Sequence, residues 1–308
     1  MSKHEISLPR LHEDAALFRR ALNFTAVQTG FPPILIEKDY FCTLVLAYLA
    51  QKNTGLVFKG GTCLAKILVG FYRLSEDLDF VIPVSFDASR KERRSGIAPA
   101  KNALSSLVSD IPVFEKSEGL TGANRSTQYV GVVKYQSQIT AATEQISFEV
   151  SLREPLLTPA KQGPAKSIIL NPVSNTPFVD EVPFSCISLQ EAFAEKVRAA
   201  LTRREVAIRD AYDLLYAKNK LNFDFNESAF LDLVMKKLTI PGNGPINVSP
   251  RRLEELTRQV DTRLKTVLRP EDFASFDIQA ALSIVEELAA KLVTKNLDVN
   301  DGDSRGLK

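Results

Sequence analysis

The sequence predicts an α+β protein: a small α/β unit up to about residue 187, then a helical C-terminal half. Three observations carry this. A strand–turn–helix–strand unit runs from Leu56 to Ile82 around Gly60-Gly61. Period-two hydrophobicity marks Thr127–Ile139 and Gln145–Leu152 as half-buried strands. From Leu189 onward, apolar residues recur at three- and four-residue steps. The expected organisation is an α/β domain with N-terminal helices over 1–187, a helical domain over 188–297 and a flexible tail over 298–308.

The elements follow in order. Leu11, Ala15, Phe18, Leu22 and Ala26 share a helical face over 11–29, and Pro32-Pro33 ends that pattern. A second helix is expected over 36–51, stopped by Asn53-Thr54-Gly55. Leu56–Lys59 reads as a short strand, Gly60-Gly61-Thr62 as a turn and Cys63–Val69 as a helix. Leu78–Ile82 is a strand ended by Pro83. Residues 87–110 read as helical with a break at Ser95-Gly96, and 178–188 as extended. Five helices are placed near 189–203, 206–219, 226–238, 249–268 and 276–295.

Composition narrows the function. The 308 residues carry 39 Lys+Arg and 37 Asp+Glu, a balance of +2, which argues against holding nucleic acid by bulk charge. A 44% hydrophobic content argues against a disordered chain. Three well-separated cysteines (Cys42, Cys63, Cys186) fit neither a disulfide framework nor a zinc site. His4 and His12 are the only histidines, so His-based catalysis has little to work with. No apolar run approaches the roughly 20 residues a membrane helix needs, and the N-terminus shows no signal peptide. A cytoplasmic protein without a membrane partner is expected.

The richest stretch is Phe58–Phe80. Asp77 and Asp79 stand two apart in a strand-like segment, so both carboxylates share one face, with Leu78 and Phe80 on the other. Such a pair repels itself unless a divalent cation intervenes. Mg²⁺ suits it, taking one or two protein carboxylates plus phosphate oxygens, with Mn²⁺ as an alternative. Gly60-Gly61 lacks side chains, so backbone N–H groups there can approach a phosphate, with Thr62 and Ser75 adding hydroxyls. Glu149 lies on the wet face of an alternating strand and is a candidate third metal ligand. Together these describe a site for a nucleoside triphosphate. Taken singly, a Gly-Gly turn is usually only a turn, and an Asp-x-Asp pair is usually a solvated edge.

Lys59-Gly60-Gly61-Thr62, followed by Arg73-Leu74-Ser75-Glu76-Asp77-Leu78-Asp79, resembles the signature of the AbiEii/AbiGii toxin family of nucleotidyltransferases, in the DNA-polymerase-β-like superfamily. Ile36–Tyr40, Ala194–Leu201 and Arg203–Leu214 resemble further motifs of that family, in the right order. The resemblance implies a polymerase-β-like domain, a small mixed sheet flanked by helices, followed by a helical domain. It implies Lys59, Gly60, Gly61, Thr62, Ser75, Lys196 and Asp213 at the nucleotide, and Asp210 beside Asp77, Asp79, Glu149 and Lys196 in catalysis. It also implies a toxin of a toxin–antitoxin or abortive-infection system, using a nucleoside triphosphate with Mg²⁺. RNA such as tRNA would be the acceptor and an AbiEi-type antitoxin the partner.

Read physically, Lys196 borders the apolar stripe of Leu189, Phe193, Val197 and Ala200. It can snorkel to water or bind phosphate as a point charge. Asp210 and Asp213 share a helix face, and Asp210 needs a cationic partner such as Lys196, Arg203 or Arg209. Glu37, Lys38 and Asp39 read as solvated charges of an amphipathic helix that support the cleft. Two rival readings stay open: a non-catalytic module that binds nucleotide or antitoxin, and a transferase acting on a small molecule such as an antibiotic.

Overall fold

The computed structural model describes residues 7–305. His4 and residues 306–308 lie outside them. The chain forms two compact units, one reaching to Ser188 and including Val267–Arg269, the other comprising Leu189–Thr266 and the residues from Pro270 on.

The first unit begins with α1 (Ala15–Thr29) and α2 (Pro33–Ala50). Asp14 caps α1 by accepting the Leu17 N–H, and Gly30 ends it in the left-handed conformation at φ 75°. Pro33 opens α2 at a position where no N–H is needed. The helix α2 is buried nearly all round, from Leu35 to Leu49.

Next come β1 (Val57–Lys59), a short helical turn α3 (Gly60–Cys63) running on through Leu64–Leu68, and β2 (Leu78–Val81). The 21-residue α4 (Arg90–Asp110) starts with a capping box of Ser89 and Glu92. It shows no break at Ser95-Gly96. Gly96 faces Leu152 and Ile82 within the helix, where an added Cβ would lie in ordinary contact, so neither a break nor a tight approach marks this glycine.

Seven strands complete one mixed sheet: β1, β2, β3 (Phe114–Ala123), β4 (Gln128–Gln136), β5 (Thr143–Ser151), β6 (Lys161–Ala165) and β7 (Val182–Cys186). Their order is β3-β4-β5-β2-β1-β7-β6, with β2–β5 and β1–β7 parallel and the other pairs antiparallel. Phe58, Leu78, Phe80, Phe148, Val150, Tyr129 and Tyr135 are all buried in the core on one face. Tyr129, Tyr135 and Phe148 are therefore packing residues.

In the second unit α5 (Leu189–Thr202) packs on α6 (Ile208–Lys220) and α7 (Ser228–Leu238). Phe193, Phe223, Phe225 and Phe230 meet ring to ring at centroid distances of 4.8–6.3 Å. The expected helix over 249–268 is α8 (Pro250–Arg258) continuing through a wider and then a tighter turn to Val267. A short α9 (Pro270–Ala274) precedes α10 (Ile278–Arg305). The backbone of α10 runs through 298–305, where the sequence suggests a tail. Asn, Asp and Gly lower helix propensity there, but no proline stops the helix.

Candidate active site

Three neighbouring strands place Lys59, Asp79 and Glu149 in one row. Lys59 is the Cα partner of Asp79 across β1–β2, and Asp79 is that of Glu149 across β2–β5. Residues in register point to the same face, and neighbouring strands lie about 4.8 Å apart. All three are half-buried, while the flanking Phe58, Leu78, Phe80, Phe148 and Val150 are buried on the opposite face. The period of two thus separates core from chemistry. Val130, the partner of Glu149 on β4, is 43% exposed, so the sheet face beside the carboxylates is open.

Asp77 precedes β2 and is half-buried like Asp79, whereas Leu78 between them is buried. The Thr62 hydroxyl donates to the Asp77 carbonyl at 2.5 Å. Thr62 is itself 2% exposed, so it fixes the backbone at Asp77 and is not an open hydroxyl facing a phosphate. Among the described residues, no three His, Cys, Asp or Glu side chains close around a point as a ready-made metal cage.

Gly60 is the residue the turn cannot replace. Its φ is +77°, and a Cβ there would lie 2.2 Å from Asp79 Oδ2. The bare backbone of the turn therefore lies directly against the Asp79 carboxylate. At Gly61 a Cβ would meet Arg73 Nη2 at 2.6 Å and Ser75 Oγ at 3.0 Å. Arg73 is 1% exposed and donates from Nη1 to the Leu74 carbonyl at 3.1 Å.

Support for the turn comes from α2. Glu37, Lys38 and Asp39, expected as solvated, are held by partners. Glu37 is fully buried and accepts from Ser137 Oγ at 2.6 Å and from the Gln138 N–H at 2.7 Å. Burial pushes its carboxyl above the ordinary value, and those two donors only partly offset the effect. Lys38 pairs at 2.8 Å with Glu76, the residue before Asp77.

Asp39 pairs at 2.6 Å with Lys66 and accepts from Ser167 Oγ and the Ile168 N–H. The Lys66 ammonium also donates to Thr43 Oγ1 and to the carbonyls of Asp39 and Lys166. Lys66 and Arg73 are the residues that sequence reading left without a role. The available signal was a lysine inside the apolar run after Gly60-Gly61, a place where a charge demands a buried partner.

In the second unit Lys196 Nζ lies 2.7 Å from Asp210 Oδ1 and 2.9 Å from Asp213 Oδ2. Arg203 adds a longer contact to Asp210 at 3.3 Å. Both aspartates are buried, and Lys196 is nearly so. Burial raises the Asp210 pKa, yet Lys196 and Arg203 outweigh it and hold the carboxyl below its ordinary value. The pairing of the two acids with Lys196 is thus present, and it pins α5 to α6.

The Gly-Gly turn is set against Asp77 and Asp79 at the start of the next strand of a mixed sheet. The family model described as nucleotidyl transferase AbiEii toxin, type IV TA system, matches residues 44–286. The chain belongs to this family of toxin nucleotidyltransferases. Among solved structures, MenT4, a nucleotidyltransferase toxin from Mycobacterium tuberculosis, shares the fold at TM-score 0.51 and 20% identity. The match covers 90% of this chain and 98% of that one. JHP933 from Helicobacter pylori aligns at TM-score 0.44 and 17% identity, over 98% of this chain and 99% of that one. No curated protein matches the sequence. No helix among the described residues is long and apolar enough to cross a membrane.

Proposed function

We propose that this toxin transfers a nucleoside monophosphate from a nucleoside triphosphate to a hydroxyl of RNA, such as tRNA, in the cytoplasm, under control of an AbiEi-type antitoxin. The observation that carries the chemistry is the register of Asp79 with Glu149, beside a turn whose backbone abuts the Asp79 carboxylate.

A divalent cation fits the donor set. Asp77, Asp79 and Glu149 offer hard carboxylate oxygens, and the sheet face beside Glu149 is open at Val130. Asp77 and Asp79 would hold Mg²⁺ or Mn²⁺, with Glu149 as third ligand. Two carboxylates without a closed cage suit Mg²⁺, whose shell is commonly completed by substrate phosphate oxygens and water. When bound, such an ion stabilises charge developing on the phosphoryl oxygens.

The remaining work falls to the chain. Gly60 and Gly61 let phosphate oxygens approach backbone N–H groups, and Ser75 beside Gly61 adds a hydroxyl. Lys59, in the same row, supplies positive charge beside Asp79. Glu149 would accept the proton of the attacking hydroxyl. Lys196 is the proposed triphosphate-binding cation, oriented by Asp210 and Asp213. Labelled ATP, GTP, CTP and UTP, incubated with Mg²⁺ and either total RNA or a panel of small-molecule alcohols, test this reading. Label in RNA supports it. Label only in small molecules, or binding with no pyrophosphate release, contradicts it.

A further inference from the structure

The overall charge of +2 conceals a local concentration. Three segments converge where β2 and β5 end. The Ile82 N–H donates to the Ser151 carbonyl at 3.0 Å and the Leu152 N–H to the Thr127 carbonyl at 2.8 Å. Arg93 Nε donates to the Leu152 carbonyl at 3.2 Å, which ties the first turn of α4 to the same place.

The stretch 82–101 brings Arg90, Lys91, Arg93, Arg94 and Lys101 against Asp87 and Glu92. The stretch 124–128 adds Arg125, and 151–154 adds Arg153 with Glu154. Seven cations thus face three carboxylates, a local excess of four in a chain whose total is two. Glu154 is buried, while Glu92 in the capping box is exposed and keeps its charge, so the excess of four already includes it. Arg90, Lys91, Arg94 and Arg125 are exposed. Beside them Phe86 is 49% exposed, an aromatic ring held in water, and its carbonyl accepts from Arg93.

Exposed cations with an exposed ring form the chemistry that takes an RNA strand: phosphates on the cations, a base on the ring. The patch borders the same two strands as the site: Val81 and Ser151 lie in register two residues beyond Asp79 and Glu149, while α4 itself packs through Ile97 and Ala100 on the core face. We propose that this end of the sheet, with Phe86, Arg90, Lys91 and Arg94, is the surface that grips the RNA acceptor. The proposal rests on RNA being the acceptor.

The test is filter binding of labelled cellular small RNA to the full chain, without nucleoside triphosphate so that no transfer occurs, across a salt series. The triple variant Arg90→Ser/Lys91→Ser/Arg94→Ser should bind about tenfold more weakly, and its salt slope should fall by about 2, as expected for three lost single-strand phosphate contacts. Phe86→Ala, which removes only an exposed ring, should lose about fivefold or more at every salt concentration. Unchanged RNA binding in both variants overturns the surface, as does loss confined to an Arg251→Ser/Arg258→Ser control. Normal RNA binding with lost antitoxin neutralisation makes the face a protein interface and also overturns it. A wild-type chain that binds no RNA instead refutes the RNA acceptor itself.

Discussion

Asp79 on β2 and Glu149 on β5 stand opposite one another across a parallel pair of strands, although seventy positions separate them in the chain. Their register is set by the core behind them. Leu78 pairs with Phe148 and Phe80 with Val150, all buried, so a one-residue slip would turn both carboxylates inward. The site is therefore a consequence of how the sheet buries its apolar face.

Gly60→Ala should abolish most transfer with little loss of fold. The new Cβ would collide with Asp79 Oδ2, and φ of +77° carries a penalty of about 1–2 kcal/mol for a residue with a side chain. A drop in rate of at least about tenfold, with a melting temperature a few degrees lower, is expected. Full activity in this variant would mean that the turn does not abut the working carboxylate.

Lys66→Met should destabilise the first unit severely. It leaves the buried Asp39 carboxylate without its cation, a change that typically costs about 3–5 kcal/mol. Replacing both, Lys66→Met with Asp39→Leu, should recover much of the loss because no buried charge is then left unpaired. Urea unfolding of the single and double variants checks this. Equal stability of Lys66→Met and wild type would remove the ion pair from the account.

Asp210 supplies a pH prediction. Its carboxyl is held below the ordinary value, so its pairing stabilises the fold above the unfolded-state pKa of about 3.9. That contribution disappears as the pH falls through the lower, folded-state value. Asp210→Asn should therefore be less stable at neutral pH and lose less stability on acidification below about pH 4. Urea midpoints between neutral and acid pH read this directly. Parallel curves for variant and wild type would contradict it.

How much of this was legible in the sequence depends on whether the signal was local. The alternation around Asp77, Asp79 and Glu149 reports one exposed face, and the strands follow from it. The strands β3 and β6 were missed because Phe114–Ala123 slips register and carries two glycines, while Lys161–Ala165 holds Gly163 and Pro164 at a sheet edge. The helix α4 runs unbroken past Ser95-Gly96 because its buried stripe of Ile97, Ala100, Leu104 and Leu107 holds it to the core, a partner no local pattern reveals.

The charges of α2 show the same limit. Glu37 and Asp39 look like the polar face of a surface helix, yet their partners Ser137, Gln138, Lys66 and Ser167 come from elsewhere in the chain. Lys196 with Asp210 and Asp213 was readable as a pairing because helical spacing already puts both acids on one face. The Thr62 hydroxyl beside two glycines looks open in the sequence, and only the fold shows that it reaches the Asp77 carbonyl.

The most direct test of the central claim is incorporation of labelled nucleoside monophosphate into RNA by the wild type and by Asp77→Ala/Asp79→Ala, with thermal unfolding recorded in parallel. The account predicts labelled RNA from the wild type and none from the double variant, with both proteins cooperatively folded. Wild-type levels of labelling in the double variant would contradict it.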